Sequence, residues 1–135
     1  MLKRSLDTLK IIVKDLDTIN IDDRITEVCV GDWEWNKKDS FPEKLVYNFR
    51  NDLYMPPNAE TPEEVNDRVA SFVSELFDLF DDNTKILVVT HNGVMRSIKR
   101  NFVPNYENIM SENLGCIVLN RDNYDYYLNE KHKNN

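Results

Sequence analysis

Glycine, cysteine and histidine are all scarce: three glycines, two cysteines and two histidines occur in 135 residues. Cys29 and Cys116 stand far apart, and no C-x-x-C occurs. They read as an intracellular pair of free thiols, with a single disulfide as the alternative. With only His91 and His132 to join them, a zinc cage is not expected, and neither is any other cofactor. Long apolar runs are absent too. A run such as Ile86-Leu87-Val88-Val89 falls far short of the roughly 20 residues that a membrane span needs. The start, MLKRSLDTLK, is basic but has no apolar block and no small-residue cleavage site, so no secretory signal is visible and a cytoplasmic location is expected. Because glycine is rare, Gly31, Gly93 and Gly115 stand out.

What is present fits one soluble globular domain, with 41% hydrophobic and 30% charged residues. A chain of this length buries roughly two-thirds of its unfolded surface. The 24 acidic and 17 basic side chains leave a net charge of −7. That balance disfavours nonspecific nucleic-acid or anionic-membrane partners. The domain is expected over residues 1–129, followed by a polar tail at 130–135.

Apolar periodicity predicts an amphipathic helix over 2–16, with Leu2, Leu6, Leu9, Ile12, Val13 and Leu16 on one face and Arg4, Thr8 and Asp15 on the other. Residues 25–35 read as an extended stretch broken at Gly31, and 41–53 as short helical turns. Residues 54–59 read as a loop, because Pro56 and Pro57 exclude helix. A helix is predicted over 62–80, with Thr61 as N-cap, Pro62 at the first position and Glu64 closing a capping box. Lys85–Thr90 reads as a strand buried on both faces, as in a parallel sheet. His91-Asn92-Gly93 turns into a helix over about 94–102. Residues 115–120 and 123–129 read as two further strands; in the latter Tyr124, Tyr126 and Leu128 alternate. Together these elements predict α/β architecture with helices on both faces of a small sheet.

The segment VVTHNGVMRSIKR places His91 at the carboxyl end of a strand and just before a helix. Ligands bind at that rim in open α/β sheets. The helix start offers free N–H groups and a positive dipole end to an anion, and Gly93 lets backbone approach closely. A histidine that merely caps the turn or sits satisfied in the core fits the same context equally well.

Three separated motifs carry a resemblance. Leu2-Lys3-Arg4-Ser5-Leu6-Asp7-Thr8 resembles S-x-L-x-R-A-x-x-T. Arg24-Ile25-Thr26-Glu27-Val28-Cys29-Val30-Gly31-Asp32-Trp33-Glu34 resembles R-L-x-E-x-x-x-G-x-W-E-G. Asn58-Ala59-Glu60-Thr61, then Arg68, then Val88-Val89-Thr90-His91-Asn92-Gly93-Val94-Met95-Arg96 resembles G-E-S, a helical Arg and V-V-[ST]-H-x-G-x-x-R. In this order and spacing they resemble the histidine phosphatase superfamily, the phosphoglycerate mutase-like proteins. The resemblance implies a three-layer α/β fold and metal-free phosphomonoester hydrolysis through phosphohistidine. It places Arg4 as a phosphate clamp, His91 as the second histidine steadying the phosphoryl group, and Glu27 as the carboxylate that protonates the leaving oxygen. Arg4, His91 and Asn92 then form the substrate-binding set for a phosphorylated small molecule. Read without the resemblance, Arg4 is a solvated helix charge and Glu27 a surface strand carboxylate. Trp33 and Trp35 read as packing residues, Glu60 and Arg68 as a structural ion pair, Arg96 as packing or pairing, and His132 as irrelevant.

No R-H-G occurs anywhere in the sequence. The family carries its nucleophilic histidine in that motif, on a first strand preceding the S-x-L-x-R helix. The expectation is therefore a truncated member, its first strand missing and its phosphatase activity lost in this chain alone. The alternatives are a noncatalytic module for a phosphate ligand or partner, and a remnant with no ligand. The uncovered sheet edge would invite self-association or pairing with a partner.

Overall fold

A computed structural model describes residues 3–13, 19–106 and 115–134. The main helices among them are α1 (Lys3–Ile12), α2 (Glu43–Arg50), α3 (Pro62–Leu79), α4 (Asn92–Phe102) and α5 (Arg121–Lys133), with short 3₁₀ turns at Asp23–Ile25, Gly31–Trp33 and Lys38–Ser40. None is long and apolar enough to cross a membrane. Leu2 and residues 14–18, at the ends of the predicted first helix, lie outside the described residues.

Helix α3 organises the core. Its start is the predicted capping box: Thr61 Oγ1 accepts from the Glu64 N–H at 3.1 Å, and Glu64 Oε2 accepts from the Thr61 N–H at 2.8 Å. Two donors that a helix start would otherwise leave unpaired are thereby satisfied. Val65, Val69, Phe72 and Val73 recur at helical spacing and are buried against Val94, Ile98 and Phe102 of α4 and Tyr124 of α5. The polar contacts on α4 are also paired: Ser97 Oγ donates to Asn66 Oδ1 of α3 at 2.7 Å. The Asn123 side chain donates to the Phe102 carbonyl at 3.0 Å, satisfying one of the acceptors left open at the end of α4.

The expected sheet is not there. Among the described residues there is no strand and no ladder. Residues 85–90 and 115–120 belong to no helix, and among the described residues no ladder joins them. Both line one cleft of about 1710 Å³ instead of pairing across it. The apolar run predicted to be buried on both faces is open, with Ile86 45% and Leu87 60% exposed. A strand is defined by its neighbours, and an extended segment without a ladder partner buries neither its backbone nor its alternating side chains. The three-layer α/β sheet is thus replaced by a helical core flanked by unpaired extended segments.

The strand predicted at 123–129 is the first part of α5. Tyr124, Tyr126 and Leu128 do alternate, but Tyr124, Tyr127 and Leu128 also recur at i, i+3, i+4, and that helical set faces the core. Asn120 caps this helix through a reciprocal box with Asn123, and Lys131 and Lys133 lie in its last turn, where positive charge complements the dipole. The segment read as a polar tail continues the helix to Lys133.

Gly31 explains one break. It has φ +55, and a Cβ there would lie 2.2 Å from the Pro57 carbonyl oxygen. Trp33 packs as predicted, its ring 4.3 Å from that of Phe41 and 5.3 Å from that of Phe49. Trp35 does not pack; it stands fully exposed.

Candidate functional site

Residue 91 is where extended backbone becomes helix. His91 is the N-cap of α4, with φ −126 and ψ 162, and its carbonyl accepts from the Met95 N–H at 2.9 Å. Its side chain does not cap the helix. The ring turns inward instead and meets α1, where Ser5 Oγ lies 2.8 Å from Nε2 and 3.4 Å from Nδ1. Both residues are buried, Ser5 to 4% exposure and His91 to 6%. The preceding residue anchors the turn, since the Thr90 hydroxyl donates to the Ile25 carbonyl at 2.7 Å.

Glu27 takes the position at the start of α4 where an anion is expected. Its Oε1 accepts from the Gly93 N–H at 3.2 Å and from the Val28 N–H at 3.0 Å. Its Oε2 lies 3.6 Å from Arg4 Nη2. The helix N-terminus is therefore served by a carboxylate of the same chain. Gly93 is needed for this approach: a Cβ there would come within 2.5 Å of Val28 Cγ2 and 2.6 Å of Glu27 Oε1. Asn92 is the first residue of α4 and lines the same cleft.

Arg4, Glu27, His91 and Asn92, separated by up to 88 positions in the sequence, thus border one cleft. Two further residues there carry weight. Ser5 occupies the position where the motif quoted above has alanine, and that departure is the signal that could have singled it out. Arg96, read from sequence as a packing or pairing residue, lines the cleft and donates to the Arg50 carbonyl at 3.4 Å. It makes no ion pair among the described residues. Its i+3 spacing after Gly93 puts it one turn into α4, over the same opening.

Glu60 and Arg68 form a bidentate pair, with Nε to Oε1 at 2.5 Å and Nη2 to Oε2 at 2.9 Å, and Glu60 also lines the cleft. Arg68 also donates to the Arg24 carbonyl at 2.7 Å, so it ties α3 to the 3₁₀ turn at Asp23–Ile25. The Arg68 hydrogen bond holds the Glu60 carboxyl below its ordinary range. Both cysteines are free and exposed. Among the described residues, no group of three or more His, Cys, Asp or Glu side chains is placed to hold a metal ion.

Burial pushes the His91 imidazole below its ordinary value; the nearby Glu27 carboxylate opposes this and Arg4 reinforces it. A base whose folded pKa is depressed binds fewer protons folded than unfolded. Its contribution to stability is therefore complete above the unfolded value, about 6.5, and is lost as pH falls through the folded value. Thermal unfolding of the wild-type chain should move to lower temperature from pH 7.5 to pH 5.5, and His91→Gln should flatten that slope. Parallel curves for the two proteins would show that His91 does not contribute.

The model of the histidine phosphatase superfamily (branch 1) matches residues 1–131. No curated protein and no solved structure matches the chain. The family match spans nearly the whole sequence, including all three motifs and every residue of the cleft cluster, and by it the chain belongs to the histidine phosphatase superfamily, branch 1.

Proposed function

We propose that this chain binds a phosphomonoester in the cleft bordered by Arg4, His91, Asn92 and Arg96, and that it does not carry out phosphohistidine turnover by itself. One observation carries the reading: Arg4 and His91, 87 positions apart in the sequence, border one opening, linked through Ser5 and Glu27. The chemistry suits a phosphoryl group. A guanidinium presents paired N–H donors that match two phosphate oxygens. Arg4 is available for this, because its side chain is 67% exposed and its contact with Glu27 is loose at 3.6 Å. A solvated pair of this kind contributes little and is readily exchanged. Arg96 adds a second fixed charge from the wall of the cleft. The imidazole contributes one N–H donor, or two once protonated.

The turnover part rests on composition. His91 and His132 are the two histidines, and neither lies in an R-H-G. Inorganic phosphate should raise the unfolding temperature, by an amount equivalent to about 2.7 kcal/mol at a concentration one hundred times Kd. Arg4→Ala and His91→Ala should each remove most of that shift. An unchanged unfolding temperature for the wild-type chain at saturating phosphate would refute the binding reading. Sustained hydrolysis of an aryl phosphate with an acid-labile phosphoenzyme would refute the statement on turnover.

A further inference from the structure

Trp35 holds a large apolar ring fully in solvent on a backbone with φ 68, a left-handed conformation that residues with a Cβ adopt at a cost. The second motif quoted above ends in glycine, the residue that takes this φ freely, and this chain has tryptophan there. Trp33, two residues earlier, stacks on Phe41, whereas the Trp35 ring meets no other ring among the described residues. Packing therefore does not offset the backbone cost. We propose that Trp35 is a specificity-determining residue of the cleft, its indole stacking on a flat aromatic ring carried by the alcohol part of the phosphomonoester. This rests on the reading that the cleft takes a phosphomonoester.

The contacts around Trp35 put it on the Arg96 side of the opening. Trp35 lines the same cleft as Arg4, His91 and Arg96. The Trp33 ring lies 5.3 Å from that of Phe49 in α2, and the next residue, Arg50, accepts from Arg96 at its carbonyl at 3.4 Å. The turn that carries the indole is fixed on both flanks. The Glu34 N–H donates to the Gly31 carbonyl at 2.9 Å, and the Asn36 N–H donates to the Trp33 carbonyl at 3.3 Å. The Asn36 side chain donates to the carbonyls of Asp32 and Glu34, each at 3.2 Å. The Asp32 N–H donates to the Pro57 carbonyl at 2.9 Å, which ties the turn to the proline loop. A backbone held out of its ordinary range persists where its surroundings over-determine it, as they do here.

The chemistry divides between the two parts of the cleft. The guanidinium groups recognise a phosphoryl group whatever alcohol it esterifies. An indole fixed by its turn loses little freedom on stacking, and stacking favours a flat π-system over an aliphatic ring of the same size. Trp33, Phe41 and Phe49 extend this apolar wall along the cleft.

The test titrates the full chain by calorimetry with inorganic phosphate, phenyl phosphate and cyclohexyl phosphate. The two esters match in charge and nearly in size and differ in flatness. Phenyl phosphate should bind about tenfold more tightly than cyclohexyl phosphate. Trp35→Gly should abolish that preference and leave the affinity for inorganic phosphate unchanged, and Trp35→Phe should keep most of it. Glycine suits the left-handed backbone, so the unfolding temperature of Trp35→Gly should not fall. Equal affinities for the two esters in the wild-type chain, or a preference that survives Trp35→Gly, overturns the proposal and leaves the binding reading standing. A Trp35→Gly variant that loses inorganic phosphate as well also overturns it, since the ring would then support the whole cleft. Failure of the wild-type chain to bind any of the three overturns both.

Discussion

Phe102→Ala should cost about 3–5 kcal/mol of folding stability, whereas Leu87→Ala should cost no more than about 0.5 kcal/mol. Phe102 has no exposed surface, and its ring centroid lies 4.6 Å from that of Tyr127. It ends α4 where α3, α4 and α5 converge, beside the fully buried Val69 and Val94. Removing the ring leaves a cavity that three helices would have to shift together to close. Such cavities add to the lost transfer energy. Leu87 belongs to the strongest apolar run of the sequence, yet it is 60% exposed. In a strand buried on both faces, truncating a leucine costs about 2–5 kcal/mol. The pair of variants therefore separates a helical core from a sheet-centred one. Urea unfolding followed by circular dichroism measures both, with the denaturant slope unchanged if the two states are otherwise preserved. A loss at Leu87 as large as that at Phe102 would contradict the core described here. Because a whole domain is stable by only about 5–15 kcal/mol, Phe102→Ala should also bring unfolding within reach of mild heating.

These two residues show what the sequence makes legible and what it does not. Local signals read correctly. Thr61, Pro62 and Glu64 announce the start of α3 because capping is settled within one turn of chain. The two prolines mark the loop at 54–59, and Gly31 marks a break that its positive φ requires. Val65, Val69, Phe72 and Val73 of α3 are core residues, since their spacing matches the helical repeat. Pairing is another matter. Ile86 to Val89 have the composition of a strand, but a strand exists only if another extended segment meets its backbone, and no local pattern supplies that segment. At 123–129 the tyrosines satisfy both periods, so the decision falls to Asn120 and Asn123, whose reciprocal cap starts a helix there. The site divides in the same way. Arg4, Glu27, His91 and Asn92 could be named from motif positions. The contact of Ser5 with His91 spans 86 positions and depends on how α1 lies against the start of α4, which spacing does not encode.

Glu27→Gln should bind inorganic phosphate about tenfold more tightly than the wild-type chain, as one negative charge beside the site is removed. The carboxylate now does two things. Its Oε1 receives the N–H groups of Val28 and Gly93, and its Oε2 faces Arg4. Both are services that a bound phosphate would otherwise receive from the helix start and the guanidinium, so Glu27 competes with the ligand for the same donors. Glutamine keeps the size and one acceptor oxygen, which can still serve the two N–H groups. Arg4 is then released to the cleft. The charge change reaches His91 as well. Glu27 is the influence that favours the imidazolium, opposing burial and Arg4. Without it the imidazole should protonate at a lower pH, visible as a downward shift in the nuclear magnetic resonance titration of its ring protons. Calorimetric titration with phosphate supplies the affinity. If Glu27→Gln binds phosphate more weakly while its unfolding temperature is unchanged, the carboxyl belongs to the ligand's contacts instead of competing for them.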